Sequence, residues 1–369
     1  MKRFLKILVL TAVLGVLAAA PFCAEADSGK IPEFYIAWGH ELHTGNMELA
    51  FLRPDAFKDN PCFLRPVTDS RLELVRDGKV IAYFNRVISK NAAESSALMV
   101  QGHIQFACCS STAMMTTYDA GTDVVMLCPV QSGGVAFVAS AKAPYNTFEE
   151  LVKYAKEQKM PVMAGYHSAI SSPRIVLEYV LRDAGLKVTE NPADYDADVL
   201  IMDLKGLKNL LPSLSSGQVE LWPGPIPMPE NAEAQGIGKI IAKLDDLPGG
   251  KWVDFPCCTM NTMKSVVDEY PEVVMAFVQA TTDLMAYAQN NREDTAKALA
   301  DFVGVDVEIL KKNDTTYTTL PDKHFTDGMD IYLSTMTSMK KLNKRLAGKT
   351  FDDVKDILFD FRFTNKVKR

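Results

Sequence analysis

Apart from its first 26 residues, the 369-residue chain has no apolar run long enough to cross a bilayer as a helix, a span that takes roughly 20 residues. It has no stretch of lysine and arginine interleaved with aromatics, which excludes the usual nucleic-acid surface. Histidine is scarce, at 5 residues, and tryptophan scarcer, at 3. The chain lacks G-x-S-x-G, H-E-x-x-H, a Walker loop and G-x-G-x-x-G, and its cysteines do not follow C-x-x-C spacing. These absences remove the common signatures of serine hydrolases, zincins, P-loop enzymes and dinucleotide enzymes. There is no internal repeat and no low-complexity tract.

What is present begins with an export signal. Lys2, Arg3 and Lys6 precede the apolar stretch Ile7 to Ala20, and Ala24-Glu25-Ala26 offers an A-x-A cleavage site. The mature chain is expected to start at Asp27 in the periplasm, Pro21-Phe22 being poor context for lipid attachment at Cys23. Loss of Lys2, Arg3, Lys6 and Glu25 takes the 40 basic and 46 acidic residues to 37 and 45, a net charge of −8. A mature chain of this length exceeds what one core usually organises, so two domains are expected.

Strand and helix signals alternate. Phe34–Trp38, Ile104–Cys108, Val124–Pro129, Val135–Ser140, Val199–Met202 and Gln218–Trp222 read as strands, the last ending in the turn Pro223-Gly224-Pro225. Asp77-Gly78 between Leu72–Val75 and Val80–Phe84 is a hairpin signal. Ala92–Val100, Ser110–Tyr118 and Leu207–Leu214 read as helices, and Thr147 to Glu150 is a capping box opening another. Such alternation predicts an α/β fold with largely parallel sheets. After Phe255 the pattern turns helical. Val274, Phe277, Val278, Thr281, Leu284, Met285 and Ala288 share one helix face, and Phe325–Leu346 and Thr350–Leu358 follow. Asn291 to Asp294 is expected to cap a start, and Lys340, Lys341, Lys344 and Arg345 to form a solvated helical face.

Met160–Leu186 carries the clearest functional signal. A short strand, Pro161–Ala164, is broken by Gly165, and Tyr166, His167, Ser168, Ser171 and Ser172 then lead to a helix opened by Pro173. Hydroxyls at a helix start, where backbone N–H groups lack partners, suit an anion or polar head group. Simple capping of the helix by Ser171 or Ser172 is the competing reading. Six cysteines remain after cleavage. In the adjacent pairs Cys108-Cys109 and Cys257-Cys258, neighbours on a strand point to opposite faces, so one of each is expected to face a cleft. Buried thiols, a cross-pair disulfide and a soft-metal site are the alternatives, the last disfavoured by spacing.

Four stretches together resemble the periplasmic substrate-binding proteins of ABC importers, in the nitrate/sulfonate/taurine and thiamine-precursor-like group. They are Asn91–Ser111, Ser140–Tyr154, Gly165–Leu186 and Phe255–Thr282. The hairpin Arg71–Asn85, with the loop Arg53–Asp69 before it, is longer than that family's single strand. The resemblance implies an α/β, two-lobe periplasmic-binding-protein-like fold with a helical C-terminal part. Lobe one would be residues 27–134 plus 256–369 and lobe two residues 135–255, with crossovers near Gly134–Ser140 and Phe255–Asn261. It implies a small-molecule ligand, an inner-membrane permease as partner, a monomer, no nucleic acid, no cofactor, no metal and no catalysis. Ligand in such folds meets strand carboxyl ends and the helix starts beyond them. That selects Trp38, His40, Cys109, Ser110, Ser111, Tyr166, Ser168, Ser171, Ser172 and Trp222, with His43 beside the first group. A small organic anion or polar heterocycle is the expected ligand. The alternatives are an enzyme or precursor-binding protein related to thiamine-precursor synthesis, and a soft-metal-binding protein.

Overall fold

A computed structural model describes residues 30–368; the export signal expected over residues 1–26 lies outside them. In chain order the strands are β1 (Glu33–Trp38), β2 (Cys62–Pro66), β3 (Arg71–Arg76), β4 (Lys79–Ile88), β5 (Phe106–Ser110), β6 (Val124–Ser132), β7 (Val135–Ser140), β8 (Val162–Tyr166), β9 (Val188–Thr189), β10 (Val199–Asp203), β11 (Leu221–Pro225), β12 (Gly238–Lys243), β13 (Pro256–Met263) and β14 (Thr316–Tyr317). They form an 8-stranded sheet in the order β14-β6-β13-β5-β1-β4-β3-β2 and a 6-stranded sheet in the order β12-β7-β11-β8-β10-β9. The chain passes from the first sheet to the second at Gly133-Gly134 and returns at β13.

Alternation in sequence misjudges the pairing: both sheets are mixed rather than largely parallel. β1 pairs in parallel with β4 and β5, and β8 with β10 and β11. β13, coming back from the second sheet, inserts antiparallel between β5 and β6. β7 likewise runs antiparallel to β11 and β12. The hairpin at Asp77-Gly78 forms as expected, both residues taking positive φ (49° and 77°), the backbone a tight turn between twisted strands needs.

The helix Pro271–Asn290 buries every residue of its expected apolar face. Its Phe277 stacks on Phe84 with ring centroids 4.6 Å apart, and Phe34 and Phe106 meet Phe84 edge-on or tilted. Each such burial is worth about 1.5–3 kcal/mol, more than any propensity difference along the helix. Other local expectations yield to tertiary contacts. The helix Lys323–Ser338 stops well short of Leu346 because Lys340 turns left-handed (φ 57°) and the Asp119 carboxylate accepts backbone N–H groups of Asn343, Lys344 and Leu346. The basic cluster therefore lies on turns, not on a helical face. Asn291 makes no side-chain cap; its amide donates back to the Tyr287 carbonyl. Pro223 and Pro225 stand inside β11, not in a turn. Beyond Leu221 no β8 residue pairs with that strand, so the missing N–H groups cost nothing on that side.

Gly165 does not break β8 but sits within it, because a Cβ there would stand 2.4 Å from Leu204 Cδ1 and 3.2 Å from Val219 Cγ1. Gly328 is the harder constraint. On the helix Lys323–Ser338, its missing Cβ would lie 2.3 Å from Cγ of Pro256, a rigid ring at the start of β13. Gly328→Ala should therefore lower stability by about 1–3 kcal/mol, although alanine is the better helix former by about 1 kcal/mol. The denaturation midpoint in urea checks this; an unchanged or raised midpoint would refute the packing argument.

Candidate functional site

The carboxyl ends of β1, β5, β8 and β11 and the amino end of β13 converge on one cavity of about 50 Å³. β13 enters there because it runs antiparallel to β5, which sets Cys258 beside Ser110. Among the described residues, no lysine or arginine lines the cavity.

The loop after β1 is built on Glu41. Its carboxylate accepts the backbone N–H groups of His43 and Thr44 and the Thr44 hydroxyl, and that hydroxyl accepts the Gly39 N–H at 3.0 Å. The loop presents His43, whose Nε2 lies 2.8 Å from the Gly134 carbonyl. A carbonyl only accepts, so Nε2 carries the proton and Nδ1 is left as an acceptor, and the Cys257 side chain hydrogen-bonds to the same imidazole. Gly134, at the passage between sheets, has φ 68°, and a Cβ on it would meet His43 Nε2 at 2.9 Å.

β13 changes register on both sides of Cys258, and the irregularity leaves Cys257 opposite no residue of β6. A bulge re-aims side chains. In place of the expected alternation, both Cys257 and Cys258 line the cavity, their sulfurs 3.6 Å apart, and Cys108 and Cys109 line it as well. Cys108, Cys109, Cys257 and Cys258 are free thiols, so of the three alternatives the cross-pair disulfide is not formed. The Cys257 carbonyl accepts the Ser111 hydroxyl at 3.0 Å and the Ser172 hydroxyl at 3.5 Å. These serines begin the helices Ser111–Ala120 and Ser172–Asp183, one following β5 of the first sheet and the other β8 of the second. Neither N-cap serine, Ser110 or Ser171, caps its helix through its side chain. The Ser171 hydroxyl donates instead to the Ser168 carbonyl at 2.9 Å. Both helix starts thus keep free backbone N–H groups near the cavity.

His43, Cys109, Ser110 and Ser171 line the cavity; Trp38, His40, Ser111, Tyr166, Ser168, Ser172 and Trp222 do not. Ser111 and Ser172 are spent on the Cys257 carbonyl. Trp38 is fully buried and donates its indole N–H to Glu48 at 3.1 Å. His40 lies against Phe302, donating to its carbonyl at 2.8 Å. The Tyr166 hydroxyl donates to Glu190 at 3.0 Å, with Arg174 over its ring. Ser168 is buried with an unpartnered hydroxyl, and Trp222 is buried with an unpartnered indole N–H. The selection did not single out Glu41, Cys108, Cys257 or Cys258, while His167, within the stretch Tyr166–Ser172, also lines the cavity. The two cysteine pairs were visible as pairs; Glu41 carried no signal beyond its neighbours.

Electrostatics sort the buried groups. Burial pulls the His43 imidazole down, but the hydrogen bond and charge of Cys257 together with Glu41 raise it overall. The hydrogen bond from Cys258, helped by His43 against burial, holds the Cys257 thiol well below its usual range, and donating that bond pushes Cys258 up. Burial lifts Cys109 to about 12. Burial, with the charge of His43, lowers His167 to about 4, so this imidazole is neutral at pH 7 and its buried Nδ1 has no partner.

The unfolded chain protonates His167 near pH 6.5 and the folded chain only near 4. Its contribution is therefore complete above about pH 6.5 and is lost as pH falls toward 4, up to about 3 kcal/mol for a shift of this size. His43 acts in the opposite sense, its contribution fading as pH rises through its raised value. Urea midpoints at pH 7 and 4.5 should fall together less in His167→Asn than in the native chain; an equal fall would show that His167 does not carry the acid sensitivity.

Solved structures of similar fold include the ligand-binding component of an ABC-type import system from Staphylococcus aureus with zinc bound (TM-score 0.69, 14% identity, covering 92% of this chain and 99% of that one). The periplasmic nitrate-binding protein of Synechocystis PCC 6803 gives 0.68 and 12%, covering 91% and 88%. The alkanesulfonate-binding protein of Xanthomonas axonopodis pv. citri bound to MOPS gives 0.65 and 13%, covering 87% and 97%. No curated protein sequence is significantly similar to this chain. The architecture is the α/β periplasmic-binding-protein fold. The NMT1-like family model matches residues 84–304, more than half of the sequence, and the chain belongs to that family.

Proposed function

We infer that this protein is the periplasmic solute-binding component of an ABC importer, exported by cleavage after Ala26, acting as a monomer, and delivering a small organic anion or polar heterocycle to an inner-membrane permease. The observation that carries the ligand class is the meeting of two uncapped helix starts, one from each sheet, at a single cavity. Free N–H groups and two helix dipoles favour a negative or strongly polar head group where no lysine or arginine supplies charge. The small volume favours a compact ligand, only a few atoms of which need lie between the helix starts.

Residues 27–134 with 256–369 would form one lobe and residues 135–255 the other, hinged at Gly133-Gly134 and at the entry to β13. No helix among the described residues is long and apolar enough to cross a membrane, which accords with a protein that meets its permease from the aqueous side. Binding rather than catalysis is the reading, because the solved structures of similar fold are those of ligand-, nitrate- and alkanesulfonate-binding proteins.

A thermal-shift screen of sulfonates, carboxylates, nitrate and pyrimidines should yield stabilising anions or heterocycles; stabilisation by sugars or amines alone would sink the ligand class. For whichever compound binds, Ser110→Ala with Ser171→Ala should weaken affinity by about 1–3 kcal/mol, two neutral hydrogen bonds at about 0.5–1.5 kcal/mol each. Isothermal titration reads this, and unchanged affinity would remove the Ser110 and Ser171 hydroxyls from the site. Small-angle scattering should show a smaller radius of gyration at saturating ligand, as hinge closure requires; an unchanged radius would count against the two lobes.

A further inference from the structure

We propose that the cavity holds a thiophilic d10 metal ion, bound by Nδ1 of His43 and the sulfurs of Cys257 and Cys258, with its remaining position open to the cavity. A ring nitrogen of His43 and the sulfurs of Cys257 and Cys258 lie within 4.8 Å of one another, and all three residues are buried. Two thiolates at about 2.3 Å from a tetrahedral zinc stand about 3.8 Å apart. The sulfurs of Cys257 and Cys258 are already 3.6 Å apart, although adjacent strand residues ordinarily point to opposite faces. The irregularity in β13 at Cys257 creates this juxtaposition, and the Ser111 and Ser172 hydroxyls fix it through the Cys257 carbonyl.

The imidazole is prepared in the same sense. Nε2–H donates to the Gly134 carbonyl at 2.8 Å, which leaves the Nδ1 lone pair for the ion. A backbone carbonyl on the far ring nitrogen is the usual outer partner of a metal-bound histidine. Glycine at position 134 is what allows the ring so close. Two sulfurs and one imidazole nitrogen select zinc or cuprous ions over hard cations such as magnesium or calcium. Binding exchanges protons for metal: the hydrogen now shared between the two sulfurs, and any proton between Cys257 and His43, leave as the ion enters. No electron is transferred. The same cavity wall includes His167, whose buried Nδ1 has no partner.

The test uses the mature chain, reduced and kept anaerobic, with Zn²⁺ alone, Cu⁺ alone, or Co²⁺ as a spectroscopic probe. One ion per chain should survive gel filtration by elemental analysis, and Co²⁺ should develop thiolate-to-metal charge-transfer absorption. Cys257→Ser, Cys258→Ser and His43→Gln should each weaken binding by roughly tenfold or more, a ligand mattering at least as much as its outer partner. Cys62→Ser, distant from the cavity, should bind like the native chain, and far-ultraviolet circular dichroism identifies any variant that fails to fold. If Cys257→Ser or Cys258→Ser does not fold, the proposal is read on the native chain, where blocking by one equivalent of a dithiol-specific arsenical should abolish Co²⁺ absorption. Absence of a retained ion, no charge-transfer band, or a Cys257–Cys258 disulfide that persists in reductant would overturn the proposal. No anion is present in these measurements, so failure leaves the solute-binding reading standing.

Discussion

Everything in this cavity hangs on one carbonyl. The backbone oxygen of Cys257 receives a hydroxyl from the first helical residue after β5 and another from the first helical residue after β8. These are two hydrogen bonds of modest individual strength, about 0.5–1.5 kcal/mol each. They join the first sheet, the second sheet and the returning strand at one atom. Thr112 adds a third tie, its hydroxyl donating to the Ile170 carbonyl at 2.8 Å. Ser111 and Ser172 reach that carbonyl, while Ser110 and Ser171 line the cavity. The division of labour among four serines follows from where the strand returns.

How much of this was legible in the sequence depended on whether the deciding interaction was local. The Asp77-Gly78 turn, the helix Ala92–Val100 and the strand Val135–Ser140 need only their own residues to specify them, and the sequence reading placed each correctly. The apolar stripe of Pro271–Asn290 was equally plain, since a 3.6-residue period over five turns admits one reading. Errors fell where a distant group decided. Asp119 ended a helix more than two hundred residues later in the chain, and Leu204 turned Gly165 from a breaker into a strand residue. The mixed sheets have the same origin. β13 lies between β5 and β6, a neighbourhood that no run of strand and helix signals contains.

The cavity was half legible. The hydroxyl cluster and the helix start at Pro173 pointed to the right region, and Cys109, Ser110 and Ser171 line it. The aromatics did not behave as free faces. Trp38 and Trp222 are wholly interior: Trp38 packs on Phe51 and donates to Glu48, and a Cβ on Gly224 would stand 2.8 Å from the Trp222 ring. Period-two alternation led the cysteine reading astray, and a single irregularity in β13 reversed it. A bulge is set by register against partner strands, which the sequence of one strand does not carry.

Gly134 ties these observations to motion. It is the residue through which the chain leaves one sheet for the other, it holds a left-handed backbone, and its carbonyl accepts both His43 Nε2–H and the Ile226 amide. If the proposed hinge turns about that residue, it swings this oxygen, and the imidazole is tied to the Glu41-bound loop. With the proposed hinge and the proposed ion, the conformation of the joint and the direction in which His43 points would be a single variable, and an occupant of the imidazole would weight the relative orientation of the two sheets.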